Sequence, residues 1–569
     1  MEYTDDYDEK DHDKPSGVTT PVGDRIALQM KTHRKKIGIC VVFLCFIALV
    51  RRIFLSDGNN YVSRLGMQQS SLCPNYSDYS KVPHRPKSTG RLHLPYMRPR
   101  RECRTFGSKV VEQVIEDLQA RIEDPDLFRL FENAFPNTLD TTVWWYEPSD
   151  KKTGTPRAFI ATGDIAAEWL RDSAHQLSVY IPLIPYDENL QKLVKGAIVQ
   201  QALYIRTAAY CNAFQPPKES RIESQPSAID FVGPRPNWDT VFECKWEIDS
   251  LASFLSLTNQ YIESSGDTSI LTQEAWVSAF KSIIYVLRRQ IMSSFDKVSQ
   301  LEPPYYVFQR DTSSGTETLP LGGRGNPVAR DIGLIRSAFR PSDDACIFQF
   351  FIPGNAHLAV ELVKLSPLMD AVGLDALASK ALYFGTKIKK AIMEHAVVES
   401  KKYGKVFAYE IDGFGGINMM DDANIPSLLS LPDLGFIKKD DEIYKNTRKM
   451  ILSEEGNPYY LKGNYFEGIG GPHIGLRSAW PLSLLVQIRT SDDDDEILKL
   501  LDTVLTTTGG LGLMHESIHI NSPSHAFTRS WFSWCNSEFA KTILDLAERK
   551  PKLIFRKDYA DKPYKFAGL

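Results

Sequence analysis

From about residue 105 onward, apolar residues return every three or four positions through one long segment after another. "GSKVVEQVIEDLQARI", "LQKLVKGAIVQQALYIRTAAY", "DSLASFLSLTNQYIES", "QEAWVSAFKSIIYVLRRQIMSS", "GNAHLAVELVKLS", "LDALASKALYFGTKIKKAIMEHAV", "LRSAWPLSLLVQIRTS", "DDDDEILKLLDTVLTTT" and "NSEFAKTILDLAERK" all show this spacing, which predicts helices. They alternate with long loops rich in Gly, Pro, Asp and Trp. No strand-rich block and no glycine-rich nucleotide turn interrupts them. A chain this long often splits into domains, but these loops are full of aromatic and charged residues and do not read as linkers. The pattern predicts an all-α domain over 105–569, one toroid of helices with its functional loops gathered at one end.

The first hundred residues follow a different pattern. Residues 1–36 are polar, with an acidic start and a basic end, and read as a disordered cytosolic tail. Next comes "IGICVVFLCFIALV" (Ile37–Val50), preceded by Arg34, Lys35 and Lys36 and followed by Arg51, Arg52 and "IFL". A membrane-spanning helix needs about 20 apolar residues. Residues 37–55 reach that length if the two arginines snorkel. A cleaved signal is the weaker reading, because the basic flank lies far from the start and no small-residue cleavage site follows. The expectation is a single signal anchor with a cytosolic N-terminus, type II, in the Golgi or endoplasmic reticulum membrane. Residues 56–104, rich in Ser, Pro, Arg, Asn and Tyr, read as a luminal stem or linker. Asn75-Tyr76-Ser77 lies within it and is a glycosylation sequon if that orientation holds.

Composition narrows the function. Hydrophobic residues make up 43% and the net charge is only −4, an ordinary globular balance with no basic aromatic patch for nucleic acid. The eight cysteines form no CxxC and no Cys/His cluster, which argues against zinc. In an oxidising lumen Cys73 with Cys103 and Cys211 with Cys244 are the nearest candidate pairs; spacing does not fix connectivity, and buried free thiols are the alternative. "SDDDDE" (Ser491–Glu496) invites calcium, but its plain reading is a helix start capped by Ser491 or Asp492, with acids at the positive helix end.

Several loops mix acids with Arg or His and with Trp or Gly. They are "ATGDIAAEWLRDSAHQL" (Ala161–Leu177), "KWEIDS" (Lys245–Ser250), "RPSDDACIF" (Arg340–Phe348), "EIDGFGGINMMDDANIP" (Glu410–Pro426), and "GGPHIGLRSAW" (Gly470–Trp480) with "MHESIHINSPSHAFTRSWFSW" (Met514–Trp534). Acids at this density are rarely placed for packing, since burying them unpaired is costly. Breaking a glycosidic bond needs one carboxylic acid to protonate the leaving oxygen and one carboxylate to activate water or attack carbon. Further acids with Arg and His would hold hydroxyls, and Trp would stack on a sugar face. Residue chemistry alone leaves a pool of Asp164, Asp172, Asp343, Asp344, Asp421, Asp422 and Glu516, with salt bridges to nearby arginines as the alternative role.

"TGDIAAEWLRDSAHQL", "KWEIDS", "FRPSDDACIFQFFIPGNA", "YEIDGFGGINMMDDANIPSLLSLPDLG", "YFEGIGGPHIGLRSAWPLSLL" and "GLMHESIHINSPSHAFTRSWFSWCNSEFA" together resemble, in order and over roughly 105–550, glycoside hydrolase family 125. The resemblance implies an exo-acting α-1,6-mannosidase with an (α/α)6 barrel, inversion at the anomeric carbon, no catalytic metal and no cofactor. It also implies an acid in the "PSDD" loop, Asp343 ranked before Asp344, and Glu516 of "HES" as the base. Sugar-holding roles would fall on Arg171, Asp172, Asp421, Asp422, Asn424, His473, Arg529 and Trp531. The mechanism expects the pKa of Asp343 to be raised by partial burial and by Asp344. Ala166-Ala167-Glu168 departs from the family pattern and leaves the role of Glu168 open, while Trp169 reads as core packing before platform. The partner would be a mannose-containing glycan. Two other readings stand beside this one: a catalytically silent, lectin-like mannose-binding protein, and a calcium-dependent α-mannosidase using Asp421 and Asp422 as a metal pair.

Overall fold

The computed structural model describes residues 73–568, apart from 228, 296–304 and 523–525. The expected tail, the expected anchor at 37–55 and the first part of the expected stem lie outside the described residues. Among those described, no helix is long and apolar enough to cross a membrane.

The nine helices that the apolar spacing predicts are present, and three that it did not single out, Pro125–Ala134, Leu170–Ser178 and Glu442–Ile451, join them among the described residues. They are α1 (Lys109–Arg121), α2 (Pro125–Ala134), α3 (Leu170–Ser178), α4 (Glu188–Ala208), α5 (Ile248–Ser265), α6 (Glu274–Gln290), α7 (Ile352–Asp370), α8 (Asp375–His395), α9 (Glu442–Ile451), α10 (Pro481–Arg489), α11 (Asp494–Thr506) and α12 (Ser533–Arg549). Their starts follow local chemistry. Ser108, Asp124, Asp187 and Asp441 each turn a side-chain oxygen onto free N–H groups of the first turn. Pro125 supplies a preset φ just inside α2. The acidic run does start a helix, but the cap is Asp493, which accepts from Asp495 and Glu496 N–H groups, rather than Ser491 or Asp492. Ser491 instead hydrogen-bonds Glu496, and Asp492 and Asp494 pair with Lys439 and Lys550.

Helices α3, α5, α7, α10 and α12 form an inner set, in which α3 packs on α5 and α12, α5 on α7, and α10 on α12. The outer helices lean on them: α8 on α7, α11 on α10 and α2 on α12, with α4 packed along α6. This succession of helical hairpins fits the expected architecture with one difference. Between α7 and α10 the inner position is held by irregular turns over 424–436. Asp433 of this segment pairs with Arg489 at the end of α10 at 2.7 Å, and Gly435 lies against Val360 of α7. Inner helices are wrapped on all sides, which is why α3 buries Leu170, Arg171, Asp172, Ser173, Ala174, Gln176 and Leu177 together. Its polar residues do not form a solvated stripe.

The loops before the inner helices carry short strands that the apolar spacing did not predict. Three small three-stranded sheets matter most: Glu168–Trp169 with Ala213–Phe214 and Val241–Glu243; Phe350–Phe351 with Glu410–Ile411 and Ile417–Asn418; and Ser478–Ala479 with Ser517–His519 and Phe527–Thr528. Each stands beside one of the loops rich in acids.

Residues 73–104, expected in the linker, belong to the domain. Leu94 and Met97 are buried, and Arg98 is held by Asp140 and Glu112 at 2.8 and 2.6 Å. Tyr76 packs edge-on against Trp531 with ring centres 4.8 Å apart, and Ser80 hydrogen-bonds Ser530 at 2.6 Å. The segment's Pro and Arg content suggested a stem or linker, but Leu94 and Met97 are buried in the domain while Val82 stays exposed. A disulfide joins Cys73 to Cys103 and a second joins Cys211 to Cys244, while Cys346 and Cys535 are buried free thiols. Asn75 is exposed and caps a short helical turn through Ser77 N–H.

Candidate active site

The "PSDD" loop is a tight turn. Arg340 N–H donates to the Asp344 carbonyl at 2.8 Å, and Asp343 N–H returns to the Arg340 carbonyl at 2.9 Å. Asp343 stands at φ 65°, in the left-handed region that Asp tolerates better than most residues. The turn is fixed from behind by Arg340, whose Nε donates to Glu410 Oε1 at 2.6 Å. Glu410 also accepts the Ile347 and Phe348 N–H groups.

The two neighbouring acids are thereby sent to different places. The Asp343 side chain keeps 22% exposure while that of Asp344 has none. Asp344 Oδ2 accepts from Ser342 Oγ at 3.0 Å, and its Oδ1 faces His473 Nδ1 at 3.7 Å. Only Asp343 opens onto solvent, which favours it as the proton donor.

Asp343 sits at the end of a buried charge cluster on Arg171. Arg171 Nη1 donates to Glu247 Oε2 at 2.7 Å and Asp249 Oδ2 at 3.1 Å; Nη2 reaches Asp172 Oδ2 at 3.3 Å and Asp343 Oδ1 at 3.5 Å. The guanidinium lies over Trp534 at 5.4 Å. Arg171 was expected to grip sugar hydroxyls. Instead it is spent on four carboxylates and organises them. Burial pushes Asp172 and Asp249 each up to about 6, despite Arg171. Asp343 departs from expectation. Burial acts to raise its pKa, but Lys245 and Arg171 outweigh it and hold the carboxyl well below the usual range. Lys245 Nζ also donates to the Asp343 carbonyl at 2.8 Å and to Glu317 at 3.1 Å.

The base candidate comes from the other end of the chain. Glu516 precedes the strand Ser517–His519 and is 12% exposed. Arg529, across the hairpin and at φ 54°, donates from Nε to Glu516 Oε1 at 3.2 Å and also pairs with Asp164. The Thr-Gly-Asp start of the 161–177 stretch is thus tied through Arg529 to Glu516. His515 holds Arg529 in place through Nδ1 and the Arg529 carbonyl at 2.9 Å. Asp172 and His473 each feel the charges of both Asp343 and Glu516, so acid and base candidates converge on one region. His473, although partly desolvated, is pushed up to about 9 by Asp344, Asp343 and Glu516 and stands as a cation among them.

Buried acceptor oxygens of Asp422 (Oδ2) and Asn424 (Oδ1) have no hydrogen-bond partner within the protein, and those of Asp172 (Oδ2) and Asp344 (Oδ1) have only ion-pair contacts, to Arg171 at 3.3 Å and His473 at 3.7 Å. Each such atom costs about 1–3 kcal/mol unless something donates to it. A sugar offers hydroxyl donors, so these atoms suit a hydroxyl-rich ligand. Asp422 and Asn424 are braced together, with Asn424 N–H and Nδ2 both donating to Asp422 Oδ1 at 3.0 and 2.9 Å. Gly471 lies against Asp422, where a Cβ would meet its Oδ2 at 2.9 Å, so only glycine lets the "GGPH" loop approach.

Asp421 does not join them. Its two oxygens accept the Leu428 and Leu429 N–H groups at 2.8 and 3.0 Å, so it holds the turn that replaces an inner helix. Its oxygens are thus engaged in holding that turn, which counts against the metal-pair reading. We predict that Asp421→Ala lowers unfolding stability by about 2–6 kcal/mol, at about 1–3 kcal/mol for each of two stranded amides, and leaves KM nearly unchanged. Urea titration and steady-state kinetics check this.

Trp531 also departs from the expectation. It is 2% exposed, packed with Met97, Leu513 and Tyr76, and serves as a seat for the N-terminal segment rather than a sugar platform. Trp169 packs with Ala167 and Ala213 and edge-on against Phe242, as core. Glu168 is fully buried, accepts from Ser173 Oγ at 2.8 Å and is pushed up to about 8 by burial.

Glu317, Asp344 and His473 offer ligand atoms close enough to share a cation. Glu317 is already engaged by Lys245 and Arg310, and a protonated imidazole is a poor ligand. The donor set fits a charge cluster better than a metal site.

Sequence reasoning did not single out Lys245, Glu247, Asp249, Glu317 or the Arg340–Glu410 pair. One signal was available: in "KWEID" a charge falls at every second position, which in extended chain sends Lys245, Glu247 and Asp249 to one side. Glu247 and Phe339 do form a parallel β-bridge, which lays this segment along the "PSDD" loop.

Comparison with known proteins agrees with this geometry. A family model described as metal-independent alpha-mannosidase (GH125) matches residues 124–544. The Meiotically up-regulated gene 157 protein of Schizosaccharomyces pombe (strain 972 / ATCC 24843) is 55% identical over 484 residues, covering 85% of this chain and 94% of that protein. Among solved structures, a metal-independent α-mannosidase from Streptococcus pneumoniae, in a non-productive complex with alpha-1,6-mannobiose, is 32% identical. It superposes with a TM-score of 0.68 over 78% of this chain and 99% of that one. The chain belongs to glycoside hydrolase family 125, the metal-independent α-mannosidases.

Proposed function

We propose that this α-mannosidase removes non-reducing terminal α-1,6-linked mannose, one residue at a time, with inversion and without a metal. The observation that carries the reading is the convergence of Asp343 and Glu516 on Asp172 and His473, in a region edged by acceptor oxygens that no protein donor satisfies. The mannobiose held by the Streptococcus pneumoniae relative supports the linkage. The (α/α)6 description fits the hairpin succession, with turns standing in for one inner helix.

In this mechanism Asp172, Asp422 and Asn424 accept hydrogen bonds from the hydroxyls of the terminal sugar, and His473 donates. Asp343 gives a proton to the glycosidic oxygen as the bond to the anomeric carbon breaks. Glu516, oriented by Arg529, takes a proton from water attacking the opposite face. Inversion requires the two carboxyl groups to stand roughly 6.5–9.5 Å apart, leaving room for that water.

The test is proton NMR of the enzyme on α-1,6-mannobiose, following the first product before it mutarotates. β-Mannose is expected, at a rate unaffected by dialysis against a chelator. First-formed α-mannose would refute inversion. Binding without turnover would favour the lectin-like reading, and loss of activity on chelation the metal-dependent one.

We also propose that residues 37–55 anchor the enzyme, with its catalytic domain in the lumen of the Golgi or endoplasmic reticulum. Two disulfides and an exposed sequon at Asn75 suit an oxidising, glycosylating compartment.

A further inference from the structure

The inner helices enclose a second cavity, farther along them than the acids of the candidate site. It has a volume of about 250 Å³ and is lined from α3, α5, α7, α10, α12 and the turns over 424–436. A water takes about 30 Å³, so the space suits one small ion with several waters. Trp534 links the two regions: the Arg171 guanidinium lies over its indole at 5.4 Å, and the ring of His175, which lines the cavity, lies 5.0 Å from it. The charges around the cavity do not balance. Two carboxylates line it, and each has a cation of its own, Asp433 with Arg489 at 2.7 Å and Glu361 with Lys364 at 3.4 Å. Lys541, half-buried on α12, is left over, with no ion pair or hydrogen bond among the described residues. Glu538, one turn before it, is already taken by His175 at 2.7 Å and Arg489 at 2.8 Å. Two neutral groups are unmet as well. Ser253 Oγ and His357 Nδ1 have no hydrogen-bond partner within the protein, in side chains 1% and 3% exposed. An ammonium, a hydroxyl and a neutral imidazole each carry a proton to donate. What this cavity lacks is an acceptor with negative charge.

The geometry points to a binding site for a phosphate group, held between Lys541 of α12, His357 of α7 and Ser253 of α5. A tetrahedral oxyanion turns several acceptor oxygens outward at once, so it meets donors that converge from three helices. Lysine serves phosphate as a point charge, and a charge-assisted hydrogen bond is about twice as strong as a neutral one. Other occupants fit less well. A neutral sugar would leave Lys541 without a counter-charge, and a metal ion would meet that charge and no free carboxylate. The state of His357 agrees with positive surroundings: burial, then His175, Lys364 and Lys541, push its pKa down to about 3. Lys364 at the cavity is exposed, which gives an ion a way in from solvent. The site takes no residue from the proposed catalytic machinery, and it stands or falls independently of the mannosidase reading.

The test is calorimetric titration of the full-length chain, in detergent and phosphate-free buffer, with inorganic phosphate and separately with glycerol 3-phosphate. One site is expected, and saturating α-1,6-mannobiose should not displace the anion. Lys541→Gln should weaken phosphate binding by roughly tenfold or more, the loss of one hydrogen bond to a charged group. Its kcat and KM on mannobiose should match wild type. Lys541→Arg, which keeps the charge, should retain most of the affinity, and Ser253→Ala should lose less than Lys541→Gln. Binding of inorganic phosphate alone would identify the occupant as the free ion, and binding of the ester as tightly or more so as a phosphorylated metabolite; both support the site. Failure of both probes to bind wild type would overturn the inference. So would affinity unchanged in Lys541→Gln, or displacement by mannobiose, which would move the anion to the catalytic region.

Discussion

Glu516→Gln should reduce kcat on α-1,6-mannobiose by about 10²–10⁴-fold, the usual contribution of a positioned general base. Gln is nearly isosteric, and its amide oxygen can still accept the hydrogen bond from Arg529 Nε. The hairpin and the ion pair from Arg529 to Asp164 should therefore survive. The side chain can no longer take a proton from water. KM, or the dissociation constant for mannobiose by calorimetry, should change little, because the acceptors proposed to hold the sugar lie on other loops. Near-native turnover would remove Glu516 from the mechanism. Strongly weakened binding would assign it to the sugar rather than the water.

Arg171→Met should be the most damaging single change to the domain. Arg171 is 3% exposed and is the only cation in direct contact with Asp249 among the described residues. Removing one member of a buried ion cluster typically costs about 3–5 kcal/mol, because the remaining charges are left unpaired. The loss should depend on pH, with a definite sign. Without the guanidinium the pKa values of Asp172, Asp249 and Glu247 rise beyond their present raised positions. The folded variant then binds more protons than its unfolded chain, so its stability increases as pH falls. The difference in urea midpoint between wild type and variant should be large at pH 7 and narrow toward pH 5. A constant gap would mean that Arg171 acts through packing on Trp534 rather than through charge.

Most helices were legible because inner and outer helices alike keep apolar residues at three- and four-residue spacing. The loops that hold the site were legible by composition, since acids, glycines and tryptophans accumulate there. What each acid does was less visible. Asp421 and Asp422 are adjacent and chemically identical, yet one spends its oxygens on the Leu428 and Leu429 amides and the other keeps an oxygen without a partner. That difference arises where an inner helix gives way to turns, which no local pattern announces. The roles of Arg171 and Trp531 were misread for a related reason. Arg171 faces Glu247 and Asp249, some 76 and 78 residues away, and Trp531 is covered by Tyr76 and Met97, far earlier in the chain. Short strands were missed because two- and three-residue pairings carry no periodicity.

The seating of Tyr76 and Met97 on Trp531 sets where this enzyme can be shortened. Trp531 is two residues from Arg529, which orients Glu516, and the intervening Ser530 bonds Ser80. A recombinant fragment cut at residue 105 would look generous on paper, since it keeps every helix from α1 onward. It would nonetheless uncover an indole beside the Glu516 loop, strand Asp140 without Arg98 and lose the Cys73–Cys103 disulfide altogether. A workable expression boundary lies upstream of Cys73, and production in a host that oxidises thiols follows from the same fact.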